Sequence, residues 1–175
     1  MVAMKKFLII GNANAISYKE IFPLIKHNKI WLGINNRMDF ILQRKNTMNS
    51  INSRWFTNLL HKNHNTPITL TQSYSSDKYP KYDNYNAIDV SKTKDIPYNY
   101  DGVMGVPITF LDKYCPNQFE IIGSFNQIDK LDIDNGLICG TVTEYIDKNG
   151  IRRMWNGPTV NKNAKYKRIL IRLKK

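Results

Sequence analysis

The run Phe7-Leu8-Ile9-Ile10, closed by Gly11, limits what this chain can fold into more than any other stretch. Consecutive apolar residues without alternation fit a strand buried on both faces, as parallel sheets produce and solitary hairpins do not. Such a strand needs neighbours. Ser17-x-x-Glu20 then offers a capping-box start to a helix, because the serine oxygen and the glutamate can satisfy orphan backbone N–H groups of a first turn. Pro23 falls late for that turn, so the helix either kinks there or restarts with the proline near a new N-terminus. Lys29-Ile30-Trp31-Leu32-Gly33 follows as a second short apolar run. The spacing predicts strand, helix and strand within residues 1–33, one βαβ-like unit that arrives with nothing before it.

At 175 residues, 42% hydrophobic and 11% aromatic, the chain can bury a core of its own. Cys115 and Cys139 are isolated, with no CxxC pair and no histidine at ligand spacing, which points to two reduced thiols and away from a disulfide or a zinc site. The N-terminal apolar run is too short for a signal peptide, and no stretch approaches the roughly 18 residues of a membrane span. A cytoplasmic protein is expected, with no metal and no membrane partner.

Charge is unevenly placed. The net charge is +12, yet all fourteen acids except Glu20 and Asp39 lie between Asp77 and Asp147. Residues 26–62 carry Lys26, Lys29, Arg37, Arg44, Lys45, Arg54 and Lys62 against Asp39 alone. Residues 148–175 carry ten basic residues and no acid. Clustered lysine and arginine are the electrostatic footprint of a phosphate-backbone binder, since each neutralised phosphate releases condensed counterions. A solvated basic face, the alternative, needs no ligand.

No internal repeat is visible. Residues 34–53 are polar, Asn-rich and poorly periodic, the composition of a long loop. Residues 54–59 and 67–71 read as β segments rich in aromatic and β-branched types. Six tyrosines fall between Tyr74 and Tyr100, with Lys78 and Lys81 among them. That mixture can stack on bases, although Tyr82, Tyr85 and Ile88 fit a half-buried sheet edge better. Residues 141–146 and 151–155 flank Asp147-Lys148-Asn149-Gly150, and Asn-Gly tolerates the positive φ angles of a tight hairpin. A second hairpin is expected at Asn161-Lys162-Asn163-Ala164, followed by a strand over 166–173. In that strand Arg168 and Arg172 share a face with Leu170, an arrangement suited to a sheet edge or to lying along an anion.

Catalytic signatures are absent. There is no Gly-x-Gly pair for close approach to a nucleotide or methyl donor, and no Ser-His-Asp or Cys-His constellation. Asp95-Ile96-Pro97-Tyr98 is similar to the Asp/Asn-Pro-Pro-aromatic motif of amino-group DNA methyltransferases, whose oxygens hold the amino group of a flipped base. The second proline is missing, and the tetrapeptide reads as a turn.

Longer stretches carry a wider likeness. "KKFLIIGNANAISYKEIFPLIKHNKIWLG", "RWFTNL" and "YPKYDNYNAIDVSKTKDIPYNYDGVMGVPITFLDKYCPNQFEIIG" resemble, in order, the later portion of the EcoRI-type adenine-specific DNA methyltransferases, with "YKRILIR" matching again at the end. The resemblance implies an α/β fold: a partial Rossmann-like methyltransferase sheet with a β-rich, hairpin-containing C-terminal part. Residues 1–33 would be a later strand-helix-strand of that sheet and residues 34–175 a β-rich DNA-recognition region, together one continuous globular unit. The implied reaction moves a methyl group from S-adenosylmethionine to adenine N6 in double-stranded DNA. In that family the cofactor strands and the Asn-Pro-Pro-Phe motif precede the segment resembling Lys5, so no catalytic or cofactor-binding residue carries over.

Two functions follow from this reading. One is the DNA-recognition part of an adenine-N6 methyltransferase of a restriction-modification system, inactive alone and completed by a separate chain bearing the catalytic half. The other is a stand-alone basic DNA-binding protein without catalysis. The residues expected to touch DNA are Arg37, Arg44, Lys45 and Arg54 in or beside the long irregular segment. Arg152, Arg153, Lys167, Arg168 and Arg172 are the corresponding candidates near the C-terminus. Trp55 could stack on an unpaired base, but beside Phe56 it reads as core.

Overall fold

The computed structural model describes residues 5–34, 38–42, 47–124, 143–146, 151–155, 157–165 and 167–175. The chain divides into two compact units, one formed by Met1–Thr66 with Leu111–Tyr114, the other by Pro67–Phe110 with Cys115–Lys175. It is a mixed α/β protein of small sheets and few helices.

In the first unit β1 (Leu8–Asn12) leads through a 3-10 segment at Ala13–Ser17 to the short helix α1 (Phe22–Lys26). The strands β2 (Trp31–Leu32), β3 (Met38–Leu42), β4 (Thr47–Ile51) and β5 (Ser53–Thr57) follow. The capping box does not start the helix. Ser17 Oγ donates to the Asn14 carbonyl at 2.8 Å, which closes the 3-10 turn, and α1 begins after Ile21 with Pro23 in its first turn. A proline there forfeits no helical hydrogen bond, because first-turn N–H groups have no intrahelical acceptor.

The order of the main sheet is β1-β5-β2, with β5 antiparallel to both neighbours. The apolar run is therefore not a doubly buried parallel strand. Among the described residues β1 lies at an edge, and Leu8, Ile9 and Ile10 are 54%, 55% and 46% exposed. β1 and β2 run in the same direction but are separated by β5, which arrives from later in the chain. One face of the sheet carries Phe56 and Leu32, buried with Ile16, Phe22, Ile25 and Ile30. Beyond β5 the chain folds back on β2. Trp31 Nε1 donates to the Leu59 carbonyl at 2.8 Å, His61 Nε2 donates to the Leu32 carbonyl at 2.9 Å, and the His64 ring stacks on Trp31 at 3.7 Å. Residues expected to form a loop contain the β3–β4 hairpin, paired from Met38↔Ile51 to Leu42↔Thr47. Cross-strand hydrogen bonding supplies there what weak local propensity did not announce.

The second unit is built on a four-stranded sheet of order β6-β7-β13-β8. Its strands are β6 (Ile88–Asp89), β7 (Met104–Pro107), β8 (Phe119–Ser124) and, after the hairpin strands, β13 (Arg168–Leu173). β13 is central rather than an edge, antiparallel to both β7 and β8, with a register shift at Leu170/Ile171 against β8. Ile169, Leu170 and Ile171 are all buried, so a strand with arginines near both ends still forms the middle of a core. Tyr82 and Tyr85 join Ala87, Val103, Val160 and Leu170 in one cluster and are core, not a half-buried edge. Residues 67–71 form no strand. The Ile68 backbone is bracketed by Gln118, whose Oε1 accepts from Ile68 N and whose Nε2 donates to Ile68 O, both at 2.7 Å.

Both C-terminal hairpins are present. β9 (Thr143–Ile146) pairs with β10 (Arg152–Trp155), and β11 (Thr159–Val160) pairs with β12 (Asn163–Ala164). Residues 147–150, the expected Asn-Gly turn, lie outside the described residues, as does Cys139. Cys115 is a buried free thiol. No helix among the described residues is long and apolar enough to cross a membrane.

Candidate nucleic-acid interface

The second unit holds its β11–β12 hairpin by two consecutive residues, Asp83 and Asn84. Buried Asn84 donates from Nδ2 to the Gly157 carbonyl at 2.8 Å, while its Oδ1 accepts from Thr159 N at 3.2 Å. The Asp83 amide donates to the Thr159 carbonyl at 2.9 Å. The Asp83 carboxylate reaches the β11–β12 turn, where its two oxygens accept from Asn161 N at 3.1 Å and Lys162 N at 2.8 Å. Both central turn residues have positive φ, 50° at Asn161 and 62° at Lys162. The primed hairpin turn demands this of both positions. Asparagine tolerates it, whereas a lysine there is uncommon. The carboxylate thus holds an exposed lysine in a backbone conformation that its own propensity disfavours. β12 also lies beside β9, which makes the two hairpins neighbours.

A second carboxylate fixes the strand that follows. Asp89, at the edge of the sheet on β6, is buried and accepts from Tyr82 Oη at 2.6 Å and Arg168 Nε at 2.9 Å, with Lys165 Nζ at 3.7 Å. Side-chain exposure is 2% for Asp89 and 12% for Arg168. Burial first, then the neighbouring Asp89 charge, raises the Tyr82 hydroxyl far above its ordinary pKa, so it remains a donor. In the first unit Arg54 is bonded to Asp112, with exposures of 13% and 11%. Burial raises the Asp112 carboxyl above its ordinary value, against the opposing hydrogen bond and charge of Arg54 and the charge of Lys113.

The arginines expected to touch DNA therefore sort into groups. Arg54 is held by the half-buried Asp112 carboxylate and Arg168 by the buried Asp89 carboxylate. Arg152 is exposed on β10, and Arg172 is exposed on β13 opposite Glu120. Arg153 lies on β10 opposite Tyr145, and Lys167 is half-buried just before β13. Arg37, Arg44 and Lys45 lie outside the described residues. Lys162, exposed at the clamped turn, was missed as a candidate. Its signal is an Asn-Lys-Asn turn between strands, but the holding Asp83 is distant in sequence. Trp55 is half-buried on β5. Tyr98 is exposed, while Tyr74 packs on Tyr100 with ring centroids 4.6 Å apart.

The arrangement suits a polyanion. Exposed cations on hairpins of fixed backbone geometry can meet phosphate oxygens without ordering the chain on contact. Gly33 and Gly105 are not open to a ligand: a Cβ at Gly33 would lie 2.6 Å from Trp55 Cβ, and Gly105 faces the Tyr82 ring, so aromatic packing requires both. Among the described residues, no group of three or more His, Cys, Asp or Glu is placed to hold a metal ion.

The family described as adenine-specific methyltransferase EcoRI matches residues 1–174. The Type II methyltransferase M.EcoRI of Escherichia coli is 45% identical over 149 residues, which cover 74% of this chain and 46% of that protein. M.MgeORF184P of Mycoplasma genitalium is 37% identical and M.MpnI of Mycoplasma pneumoniae 36% identical, each over 139 residues, 67% of this chain and 44% of the relative. The chain thus spans less than half the length of these relatives. No solved structure matches it.

Proposed function

Because the chain belongs to the EcoRI-type family of adenine-specific methyltransferases, we propose that it is the DNA-gripping part of an adenine-N6 methyltransferase of a restriction-modification system. The observation that carries this reading is Lys162, exposed at a hairpin tip and held at positive φ by the Asp83 carboxylate. Uncommon backbone conformations persist where surrounding structure fixes them, and they cluster at functional sites. Arg152 and Arg172 add exposed positive charge on the same unit. Arg37, Arg44, Lys45, Arg153 and Lys167 remain candidates for phosphate or base contact. Arg54 and Arg168 serve the fold, because pairing with Asp112 and Asp89 commits their guanidinium groups.

In the complete enzyme S-adenosylmethionine supplies the methyl group that ends on adenine N6. No residue of this chain is assigned to the donor. The role of this chain is to bind duplex DNA and orient it, with chemistry provided by polypeptide corresponding to the rest of the family. The Rossmann-like sheet belongs to this proposal: β1 and β2, codirectional on either side of β5, would be its later strands.

Fluorescence anisotropy with duplex DNA across a salt series tests the reading. Binding should weaken with a log–log slope of about −0.9 per phosphate contact. Lys162→Glu and Arg152→Glu should each weaken binding and flatten that slope by about one contact. Salt-insensitive or absent binding would sink the proposal. Methyl transfer by this chain alone would overturn the assignment of chemistry to another polypeptide.

A further inference from the structure

We propose that Tyr98 is a stacking residue for an unpaired base of DNA, and that the base it takes is the partner left behind when the target adenine leaves the duplex. The inference rests on the reading of this chain as the DNA-gripping part of a methyltransferase.

Tyr98 is carried on a turn in the second unit whose other residues hold that turn in place. Pro97 is buried and forms a bridge with Gln72, and the Tyr98 amide donates to the Gln72 carbonyl at 2.9 Å. The Asn99 side chain accepts from Tyr74 N at 2.7 Å and donates to Ser73 Oγ at 3.1 Å. The Tyr100 ring packs on Tyr74 and covers Gly102, where a Cβ would lie 2.6 Å from the Tyr100 hydroxyl oxygen. Tyr79 stacks on Tyr74 in turn, with centroids 5.9 Å apart, and donates from its hydroxyl to the Asp95 carbonyl at 2.7 Å. Tyr79 is buried and Tyr74 and Tyr100 are half-buried, whereas the Tyr98 ring is 56% exposed. A tyrosine has two side-chain torsions to fix, and here the backbone is already braced. A planar partner on the open ring therefore gains contact at a small ordering cost.

Charge selects the kind of partner. Residues 72–102 carry four lysines, at 78, 81, 92 and 94, and five aspartates, at 77, 83, 89, 95 and 101. The segment has no cationic excess with which to hold a phosphate, unlike the hairpins. Stacking on a base needs none, because every base presents a π face. An intact duplex keeps those faces covered by neighbouring pairs, so the occupant must be a base that has lost its stacking or its pair. Methylation at adenine N6 creates one: enzymes that act on a base take it out of the stack, and the base opposite is left without a partner. The target adenine goes to the chemistry assigned to other polypeptide, which leaves the orphaned partner for this chain.

The test is fluorescence anisotropy of the full chain with two duplexes, identical except that one carries an abasic site opposite a central thymine and so leaves that thymine unpaired. Wild type should bind the abasic duplex at least about fivefold more tightly than the intact one, the low end of the range for stacking one base. Tyr98→Ala should bind both duplexes alike and keep the wild-type salt slope, because stacking neutralises no phosphate. Tyr98→Phe should retain the preference. The ring is more than half in solvent, so circular dichroism of both variants should match wild type and loss of folding cannot mimic the effect. Salt-sensitive binding of the intact duplex with no preference for the abasic one, or a preference that Tyr98→Ala leaves unchanged, overturns the stacking role while the DNA-gripping reading stands. A preference lost in Tyr98→Phe as well overturns it too, since the hydroxyl and not the ring face would then make the contact. A Tyr98-dependent preference without salt-sensitive binding of the intact duplex keeps the stacking role and removes the gripping reading. Absence of binding to either duplex overturns both.

Discussion

Replacing Asp89 by asparagine should strongly destabilise the second unit. The isosteric amide retains a bond from Tyr82 Oη but leaves the Arg168 guanidinium, 12% exposed, without its counter-charge. Removing one partner from a buried ion pair costs about 3–5 kcal/mol. The Lys165 contact, at 3.7 Å with a 33% exposed side chain, adds at most about 1 kcal/mol because solvent screens it. Against a whole-domain stability of roughly 5–15 kcal/mol this is a large fraction. With a urea m-value of about 2 kcal/mol/M, the midpoint should drop by roughly 1.5–2.5 M, followed by far-UV circular dichroism. The double variant Asp89→Leu with Arg168→Met removes both charges, and should recover most of the loss because hydrophobic isosteres tolerate such sites. A loss below about 1 kcal/mol for Asp89→Asn, or no recovery in the double variant, would refute the argument that uncompensated charge is the dominant cost.

Asp83→Ala should release the β11–β12 turn, costing about 1 kcal/mol by analogy with loss of a capping side chain. Amide exchange at Lys162 should accelerate while exchange in β13 is unchanged. Gly105→Ala should cost about 1–3 kcal/mol through overpacking against the Tyr82 ring, read as a lower thermal midpoint. The His64 pKa is lowered from its ordinary 6.5, first by burial and then by His61. Below the ordinary value the unfolded chain binds the proton more readily than the folded one, so this group's penalty grows as pH falls from about 6.5 through the lowered folded pKa. Acidification should reduce the thermal midpoint, and His64→Gln should lessen that dependence. An unaltered pH profile in the variant would rule the histidine out.

The hairpins were legible because turn chemistry is local: Asn-Gly and Asn-Lys-Asn each sit between β-prone runs. The strand over 168–173 was legible for the same reason, through its aliphatic content, but its central place was not. Whether a strand is an edge depends on partners elsewhere, here β7 and β8. The run at Phe7 misled for the converse reason, since four apolar residues suggest burial without saying where in a sheet the strand will lie, and Leu8, Ile9 and Ile10 are about half exposed. Arginine roles were least legible. The partners of Arg54 and Arg168 lie 58 and 79 positions away, beyond the reach of any pattern in a window. Family resemblance extended over nearly the whole chain because it rests on ordered agreement across many positions, not on local propensity.

The insertion of β5 between β1 and β2 has a kinetic consequence. Leu8 pairs with Thr57, 49 positions later, whereas Trp31 pairs with the same residue 26 positions later. Loop closure favours the shorter span, so β2 should zip to β5 before β1 does. During synthesis at about 5–20 residues per second, Leu8–Ile10 emerge roughly 2–10 s before their partner exists. β1 thus waits unpaired while β2 and β5 can already zip, and pulse-labelled amide exchange during refolding should show β2–β5 protection preceding that of β1.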